Sequence, residues 1–357
     1  MAVLVGIDEA GFGPILGPLV VSSSTFRVPD NLVWANLWEI LRKSVSEKKA
    51  KLNGRLLIAD SKKAFTRSVG LKHLRKTVLA TLNYLGKDPK SITDLIMALS
   101  PDCLSHLNEY PWYKKIDDYS LDIESAGAQI GAAMLKTDFE NTGVELLGLQ
   151  SRILEVAHYN KMIEAVKNKA KVLFTAVAEL MQSAIDRYKN ENIEIVVDRQ
   201  GGRSHYRREL QLMFEGRELR VIHEDQDRSS YELTEKFTAE HAKYLTESCL
   251  SEAEAAEKNY KINSANSAVS AVKGCRRIRV HFVVGADDKF LPVSLASMVC
   301  KYLRELLVDN INEYFRGFNS AVKPTAGYWQ DGLRFIEDLK THIPNVKYDA
   351  NQLIRCR

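Results

Sequence analysis

The amino-acid sequence predicts a protein of the α/β or α+β class, in which strands and helices share one core. Short apolar runs bounded by glycine and proline occur near both ends and in the middle of the chain, and such runs are typical of buried strands. Segments with apolar residues at three- and four-residue steps lie between and after these runs, and this spacing is typical of amphipathic helices.

The predicted elements follow one another along the chain. The first strand covers residues 2–7 and ends at an acidic pair, and a turn rich in Gly and Pro (residues 10–18, the glycine turn) leads into a second strand. Strands are predicted over residues 2–7, 19–26, 193–198, 218–224 and 278–285. Helices are predicted over residues 32–50, 70–85, about 293–315 and about 331–341.

Two long segments interrupt this alternation. Residues 87–190 are mostly helical in pattern, and their amphipathic stretch from residue 151 onward is expected to pack in the core rather than to cap a groove or join a second chain. Residues 229–274 are charged and also helical in pattern. The 357-residue length suits roughly two domains, or one domain with insertions. We therefore expect one discontinuous domain, formed by residues 1–86, 191–228 and 275–357, with helical insertions over 87–190 and 229–274.

Composition and charge exclude several classes of protein. With 45% hydrophobic and 27% charged residues, the chain is not mainly disordered. No apolar run reaches the roughly 18 residues of a membrane span, and the N-terminus has no basic region typical of a signal peptide. The net charge of +4 and the pI of about 8.6 permit a polyanionic partner without requiring one.

The five cysteines are scattered and form no pair with zinc-site spacing. An odd number of cysteines in a large chain without a signal fits a reducing compartment, so we expect free thiols and a cytoplasmic protein. These cysteines are Cys103, Cys249, Cys275, Cys300 and Cys356.

Carboxylates stand at the ends of three predicted strands. Asp8 and Glu9 follow the first strand, Asp198 ends the strand IEIVVD, and Asp287 and Asp288 come just after IRVHFVVG. Each pattern alone also fits an ordinary turn, but strand ends in α/β sheets commonly present functional groups at one edge. The negative charges of such a cluster repel one another unless cations neutralise them. Hard oxygen ligands favour Mg²⁺ or Mn²⁺, and carboxylates holding two such ions are the usual apparatus of phosphodiester hydrolysis.

Basic residues follow these carboxylates closely in the sequence. Such residues are suited to phosphate contacts, although scattered solvated charge is the alternative interpretation of each one. They are Lys62 and Lys63 in ADSKK, Arg199, Arg203, Arg207 and Arg208 after Asp198, and Lys289 and Lys301 after Asp287.

Five motifs in this order resemble ribonuclease HII, the type 2 ribonucleases H, and most of all its archaeal form. They are GIDEAGFGPILGPLVV (6–21), DSKK (60–63), IVVD (195–198), GADDKFLPVSLASMVCK (285–301) and GY (327–328). The resemblance covers about half of the chain, while the two long helical segments have no counterpart in it. The chain therefore resembles a divergent member of this family that carries insertions.

The resemblance implies a ribonuclease H-like mixed sheet flanked by helices and a set of site residues. It assigns metal binding and catalysis to Asp8, Glu9, Asp198 and Asp287, with Asp288 as a neighbour only. It also implies that the Gly-x-Gly turn contacts the nucleic-acid backbone, and that the tyrosine of the Gly-Tyr pair stacks on a sugar at the RNA–DNA junction. The substrate-binding residues it implies are Gly11, Phe12, Gly13, Ser61, Lys62, Lys63 and Tyr328.

Two positions depart from the family pattern. Phe12 replaces the basic residue of the Gly-x-Gly turn, and a phenyl ring cannot hydrogen-bond a phosphate or a 2′-hydroxyl. Gly285 replaces the lysine before Ala-Asp. Arg199 and Arg203 are candidates to replace these basic contacts from another loop.

The sequence thus predicts an endonuclease that uses two Mg²⁺ or Mn²⁺ ions to cut the RNA strand of RNA–DNA hybrids or ribonucleotides embedded in duplex DNA. In such a mechanism one ion activates the attacking water and the other stabilises the leaving 3′-oxygen. The 2′-hydroxyl distinguishes RNA from DNA. Two alternatives remain open: a nuclease of the same fold acting on structured RNA or branched DNA, and a relative that binds nucleic acid without cutting it.

Overall fold

A computed structural model describes residues 1–66, 69–119, 121, 125–235 and 276–356. Its centre is a seven-stranded sheet with the strand order β5-β2-β1-β6-β9-β8-β7, and β3 and β4 form a separate parallel pair. The strands are β1 (Ala2–Ala10), β2 (Leu19–Val28), β3 (Val45–Ser46), β4 (Leu56–Leu57), β5 (Glu145–Leu154), β6 (Ile193–Asp198), β7 (Arg217–Glu224), β8 (Arg228–Glu235) and β9 (Ile278–Val283).

Helices cover both faces of this sheet. They are α1 (Leu37–Ile40), α2 (Ser61–Ala64), α3 (Lys72–Tyr84), α4 (Ile92–Leu99), α5 (Leu104–Leu107), α6 (Ser125–Thr142), α7 (Val156–Val166), α8 (Lys169–Arg187), α9 (Arg207–Met213), α10 (Leu291–Arg316), α11 (Trp329–His342) and α12 (Ala350–Leu353). Short 3-10 turns occur at Asp30–Leu32, Pro101–Cys103, Pro111–Tyr113, Ile116–Asp118 and Ala286–Asp288.

Strand directions bring several strand ends to one edge of the sheet. β1 pairs antiparallel with β2 and parallel with β6, and β6 pairs parallel with β9. β5 is antiparallel to β2 and therefore runs in the direction of β1. The carboxyl ends of β1, β5, β6 and β9 consequently meet at the same edge, which is the arrangement predicted for the acidic residues. The sheet mixes parallel and antiparallel pairs and is flanked by helices, as predicted.

The alternation of side chains along β1 divides the core into two layers. Val3, Val5 and Ile7 pack with α8 on one face, whereas Leu4 packs with α10 on the other. Gly6 lies on the α10 face, and a Cβ placed on it would come within 2.2 Å of the backbone carbon of Pro292. The start of α10 therefore rests directly on the backbone of β1, which fixes the helix against the strand that ends in the acidic pair.

Several predicted strands and helices are confirmed, with ends that differ from the prediction by three residues or fewer. β1, β2, β6 and β9 coincide with predicted strands, α3 with the predicted helix over 70–85, and the two C-terminal helices α10 and α11 with the remaining pair. The range 32–50 was predicted to be helical but contains only the four-residue α1 and one strand of the β3–β4 pair. Buried apolar side chains in a compact connecting segment produce helical spacing there without a long helix.

The segments predicted as helical insertions also supply strands. Within 87–190, β5 pairs with β2 along its whole length, and the amphipathic stretch begins with strand residues 151–154 before α7 and α8. Residues 229–235 belong to β8, which lies between β7 and β9. The rest of the predicted insertion over 229–274 lies outside the described residues, and the division into domains remains a prediction.

Among the described helices, none has both the length and the apolar character that crossing a bilayer requires.

Candidate active site

The first two carboxylates lie at the end of β1. Asp8 pairs with Ser22 and Glu9 with Val21 on the neighbouring strand β2. Asp8 is 6% exposed, and its Oδ1 accepts a hydrogen bond of 2.7 Å from the Glu9 amide. The Sγ of Cys300 on α10 donates to the Asp8 carbonyl at 3.1 Å. The strand end is thus held by a local hydrogen bond and by a contact from α10.

The third carboxylate, Asp198, is the last residue of β6. Val197 lies opposite Ile7 in the parallel pairing of β6 with β1, so Asp198 follows at the level of Asp8. Its Oδ1 accepts a hydrogen bond of 2.7 Å from the Ala286 amide beyond β9. This bond ties the end of β6 to the segment that carries the fourth carboxylate.

The fourth carboxylate, Asp287, lies in the 3-10 turn Ala286–Asp288 that follows β9, and it is 7% exposed. Ser294 on α10 donates its hydroxyl proton to the Asp287 carbonyl. Asp288, its neighbour, is exposed and forms an ion pair of 2.5 Å with Lys63. The structure therefore separates the two consecutive aspartates: one is buried at the sheet edge and the other is directed to the surface.

The four carboxylates, hereafter the acidic cluster (Asp8, Glu9, Asp198 and Asp287), influence one another electrostatically. Burial raises the pKa of Asp8 well above its ordinary value, and the charges of Glu9 and Asp198 raise it further. Burial and the charge of Asp198 raise the pKa of Glu9 to about 7 and that of Asp287 to about 7. Burial also raises the pKa of Asp198. These residues come from three strand ends, as predicted, and their shared negative charge is unfavourable without cations.

A fifth carboxylate and one lysine belong to the same region. Asp60 is 8% exposed and caps α2 by accepting from the Lys62 amide at 2.9 Å. Its charge helps to raise the pKa of Asp287. Burial alone would lower the pKa of Lys62, yet the charges of Asp60, Asp287 and other carboxylates raise it. Lys62 in turn lowers the pKa of Glu9, Asp198 and Asp287, so its ammonium partly neutralises the acidic cluster.

Sequence reasoning missed three contributors: Asp60, Ser294 and Ser297. Ser297 on α10 is 3% exposed and donates to the hydroxyl of Ser61 at 3.0 Å. The polar hydroxyl of Ser297 also lowers the pKa of Asp8. The signal was present in the motif PVSLAS, where two serines stand one helical turn apart and so share a face.

The glycine turn lies beside the cluster and keeps an open surface. Gly11 has a φ of +96°, and a Cβ there would approach the Pro18 carbonyl oxygen to 2.7 Å, so the turn requires glycine. Gly13 is exposed, and a Cβ added to it would have no atom within 4 Å. Phe12 is half-buried, and the ammonium of Lys169 lies 4.9 Å from the centre of its ring. Lys169 thus brings a positive charge to the position where the family pattern has a basic residue.

Tyr328 lies on the same side of the molecule as the glycine turn. The Gly327 carbonyl accepts hydrogen bonds from the amides of Ile15 at 2.8 Å and Leu16 at 3.2 Å. Tyr328 is 53% exposed, and the buried guanidinium of Arg304 lies 5.9 Å from its ring centre. The ring therefore presents an open face next to the turn.

Three of the predicted basic residues, Lys63, Arg199 and Arg203, are engaged with the protein itself. Lys63 pairs with Asp288 rather than with the acidic cluster. Arg199 donates from Nε to the Arg203 carbonyl at 2.6 Å and also donates to the Gln226 carbonyl. Arg203 forms an ion pair of 3.0 Å with Glu209. Arg199 and Arg203 could supply the phosphate contacts missing at Phe12 and Gly285 only by leaving these partners. Lys169, in contrast, already lies beside Phe12.

The donor set of the acidic cluster fits divalent cations. All of its side chains are carboxylates, and hard oxygen ligands are those that Mg²⁺ and Mn²⁺ prefer. Burial, and after it the charges of the neighbouring carboxylates, raise the pKa values of Asp8, Glu9 and Asp287 despite the nearby charge of Lys62. Bound cations would remove this repulsion and keep the carboxylates ionised at neutral pH.

Comparison with known proteins finds similar solved structures but no matching family model and no matching curated protein. The chain is similar to ribonuclease HII of Archaeoglobus fulgidus in its complex with PCNA (15% identity, TM-score 0.40, 99% of this chain and 94% of that chain). It is also similar to ribonuclease H2 of Pyrococcus horikoshii (12% identity, TM-score 0.36, 98% of this chain and 92% of that chain). A third similar structure is Bst-RNase HIII in complex with Mn²⁺ (12% identity, TM-score 0.36, 99% of this chain and 66% of that chain). Because the sequence identities and the TM-scores are low, the interpretation of the site rests on its own residues.

Proposed function

We propose that this protein is a divalent-metal-dependent endonuclease of the ribonuclease H type, which hydrolyses the RNA strand of RNA–DNA hybrids or ribonucleotides embedded in duplex DNA. The observation that carries the proposal is the convergence of Asp8, Glu9, Asp198 and Asp287 at one sheet edge, with pKa values raised by burial and mutual repulsion. The five ordered motifs that resemble ribonuclease HII support it independently.

The residues of the chain have separate roles in this proposal. The acidic cluster would hold two Mg²⁺ or Mn²⁺ ions, which when bound supply activation of water and stabilisation of the leaving oxygen. Lys62 limits the net charge of the site, and the hydroxyl of Ser297 favours the ionised form of Asp8. The surface around the cluster positions the nucleic acid. Its candidate contacts are Gly11, Phe12, Gly13, Ser61, Lys63, Lys169 and Tyr328.

Recognition of RNA depends on the 2′-hydroxyl, which is both a donor and an acceptor. The exposed backbone of the glycine turn can approach a sugar closely because Gly11 and Gly13 carry no side chain. The open face of Tyr328 is suited to stacking against a sugar or base. These features favour a nucleic-acid substrate over a small molecule. The free thiols of Cys103, Cys300 and Cys356 are compatible with the proposed cytoplasmic location.

A cleavage assay with matched aspartate variants tests the proposal. Purified protein is incubated with an RNA–DNA hybrid, a DNA duplex with one ribonucleotide, plain DNA and structured RNA, each with Mg²⁺ or Mn²⁺. Asp287→Asn should lower cleavage of the first two substrates by more than about 100-fold, because it removes a proposed direct metal contact. Asp288→Asn, which changes the exposed neighbour, should keep activity within a few-fold of wild type.

Each alternative function has its own outcome in this experiment. Cleavage of structured RNA or branched DNA without preference for hybrids would replace the proposed substrate by the second candidate. A protein that binds nucleic acid but cleaves no substrate would fit the third candidate, a non-cleaving binding protein. Calorimetry would then find no Mn²⁺ binding that is lost in Asp8→Asn and Asp198→Asn. Equal loss of activity in Asp287→Asn and Asp288→Asn would contradict the assignment of the acidic cluster.

A further inference from the structure

A second group of metal-ligating side chains lies outside the acidic cluster. His106, Glu155 and His158 (the histidine–glutamate group) each offer one ligand atom, and these three atoms all lie within 4.8 Å of one another. His106 belongs to α5, Glu155 is the residue before α7, and His158 is in the first turn of α7. Glu155 and His158 are three residues apart and therefore share one helix face.

Glu155 is placed in an unusual way for the residue that precedes a helix. Its side chain does not cap the amides of α7 and is only 5% exposed. Instead its Oε1 lies 2.9 Å from Nδ1 of His106. A buried carboxylate without a cation is costly, and the ion pair described for Glu155 is with His106, whose charge depends on protonation.

The two imidazoles frame the carboxylate from the solvent side. The rings of His106 and His158 are nearly parallel, with their centres 6.2 Å apart and an angle of 22° between them. Both residues are exposed, so a cation can reach the group without rearrangement of the core. All three residues line two adjoining surface cavities, which leaves room for a water molecule or another ligand beside the group.

We propose that His106, Glu155 and His158 form a binding site for a zinc-class transition-metal ion, separate from the acidic cluster. Two imidazole nitrogens and one carboxylate are a donor set that Zn²⁺ accepts with one coordination position left open. Tetrahedral bonds of about 2.0–2.1 Å place ligand atoms about 3.3 Å apart. Binding would therefore lengthen the distance of 2.9 Å between His106 Nδ1 and Glu155 Oε1 slightly and bring the remaining ligand atoms, now within 4.8 Å, closer together. Nitrogen ligands disfavour Mg²⁺, which distinguishes the group chemically from the all-carboxylate cluster.

The position of this group suggests what a bound ion would do. It would join α5 to α7, and the segment that follows α5 is already linked to α7 by a hydrogen bond of 3.0 Å from the Ala157 amide to the Tyr110 hydroxyl. Glu155 follows Leu154, which pairs with Leu19 where β2 leaves the glycine turn. The ion would therefore stabilise the same edge of the sheet that carries the acidic cluster, two strands away.

Metal counting on the full chain tests the proposal. Zn²⁺ binding is measured by equilibrium dialysis with Mg²⁺ in large excess, and wild type is expected to retain one Zn²⁺ per chain. His106→Ala and His158→Ala, both at exposed positions, should each weaken Zn²⁺ binding at least tenfold. His223→Ala is the matched control, since His223 is also exposed and bonded to a carboxylate, Asp225 at 2.6 Å, without a second histidine in the group.

Two further measurements distinguish this site from the acidic cluster. Asp287→Asn should leave Zn²⁺ binding unchanged, and Co²⁺ should give visible absorption in wild type that His158→Ala abolishes. No retained Zn²⁺ in wild type would overturn the proposal. So would unchanged binding in both histidine variants, or loss of Zn²⁺ in Asp287→Asn with retention in His158→Ala.

Discussion

At the residue scale, Lys169 places a positive charge beside the phenylalanine of the glycine turn. Its ammonium lies 4.9 Å from the ring centre of Phe12, although 157 positions separate the two residues (169 minus 12). A lysine over an aromatic face is attracted by the ring quadrupole and remains available to a phosphate. The departure at Phe12 therefore moves the positive charge to another element rather than removing it.

Substitution of Lys169 by glutamine is expected to weaken binding of an RNA–DNA hybrid about 3- to 10-fold and to reduce the salt dependence of binding by about one charge. The reason is the loss of one phosphate contact at the glycine turn. Fluorescence anisotropy at several salt concentrations with Ca²⁺ in place of Mg²⁺ measures this change. Lys171→Gln, two residues along the same helix, is the control, and an equal effect there would show that only overall charge matters.

The acidic cluster also predicts how stability depends on pH in metal-free protein. Glu9 and Asp287 have pKa values of about 7 in the folded chain, above those of unfolded carboxyls. Their contribution to stability is therefore full below about pH 4 and is lost as the pH rises through 7. Asp287→Asn should thus stabilise metal-free protein at pH 8 by on the order of 1–3 kcal/mol.

Thermal unfolding of wild type and Asp287→Asn between pH 5 and pH 8 in chelator measures this difference. The gap in melting temperature should widen as the pH rises, and saturating Mg²⁺ should reduce it by stabilising wild type alone. A gap that is constant with pH would show that the carboxyl group of Asp287 is already ionised throughout this range.

At the element scale, the contact between α10 and β1 determines the position of the site. Gly6→Ala is expected to lower the free energy of unfolding by about 2–3 kcal/mol, because the added methyl overlaps the backbone of Pro292 and must displace α10. Urea unfolding measures the loss. Gly216→Ala is the control, since no atom lies within 4 Å of a Cβ there. An equal loss at both positions would exclude the contact as its cause.

The elements also show what a sequence pattern can and cannot predict. The carboxylates of β1, β6 and β9 were predictable because an apolar run that stops at an acidic residue is a local signal. Asp60 and Ser297 were not, since their proximity to the cluster results from the packing of α2 and α10. β5 was missed because LLGLQSRIL leads directly into a helix, and its alternation is hidden by the longer helical pattern.

At the scale of the whole molecule, α7 holds the C-terminal tail (residues 343–356) against the glycine turn. Asn160 is 1% exposed, and its amide bonds the carbonyls of Asn351 and Ile354 at 3.1 and 2.9 Å and the Cys356 amide at 2.7 Å. The Arg355 amide in turn donates to the Ile15 carbonyl at 2.8 Å. The buried side chain of Asn160 thus holds the tail, and the backbone of the tail in turn bonds the glycine turn.

Asn160→Ala is expected to lower the free energy of unfolding by about 2–4 kcal/mol, because it leaves partly buried backbone groups of the tail without partners. It should also make the tail a site of early proteolytic cleavage in otherwise folded protein. Chemical denaturation and limited proteolysis measure the two effects. The control is Asn310→Ala, which removes a single hydrogen bond to the Leu306 carbonyl within α10. Tail cleavage in Asn160→Ala equal to that of wild type would contradict the role of Asn160.

The distance along the chain between the strand ends has a consequence for synthesis. Asp287 is made long after Asp8, and β9 must be present before Asp198 receives its hydrogen bond from Ala286. At about 5–20 residues per second, roughly 15–55 s pass on the ribosome between the first carboxylate and the last. During that interval the nascent chain has no complete acidic cluster, so the proposed nuclease cannot act on nucleic acid near the ribosome that makes it.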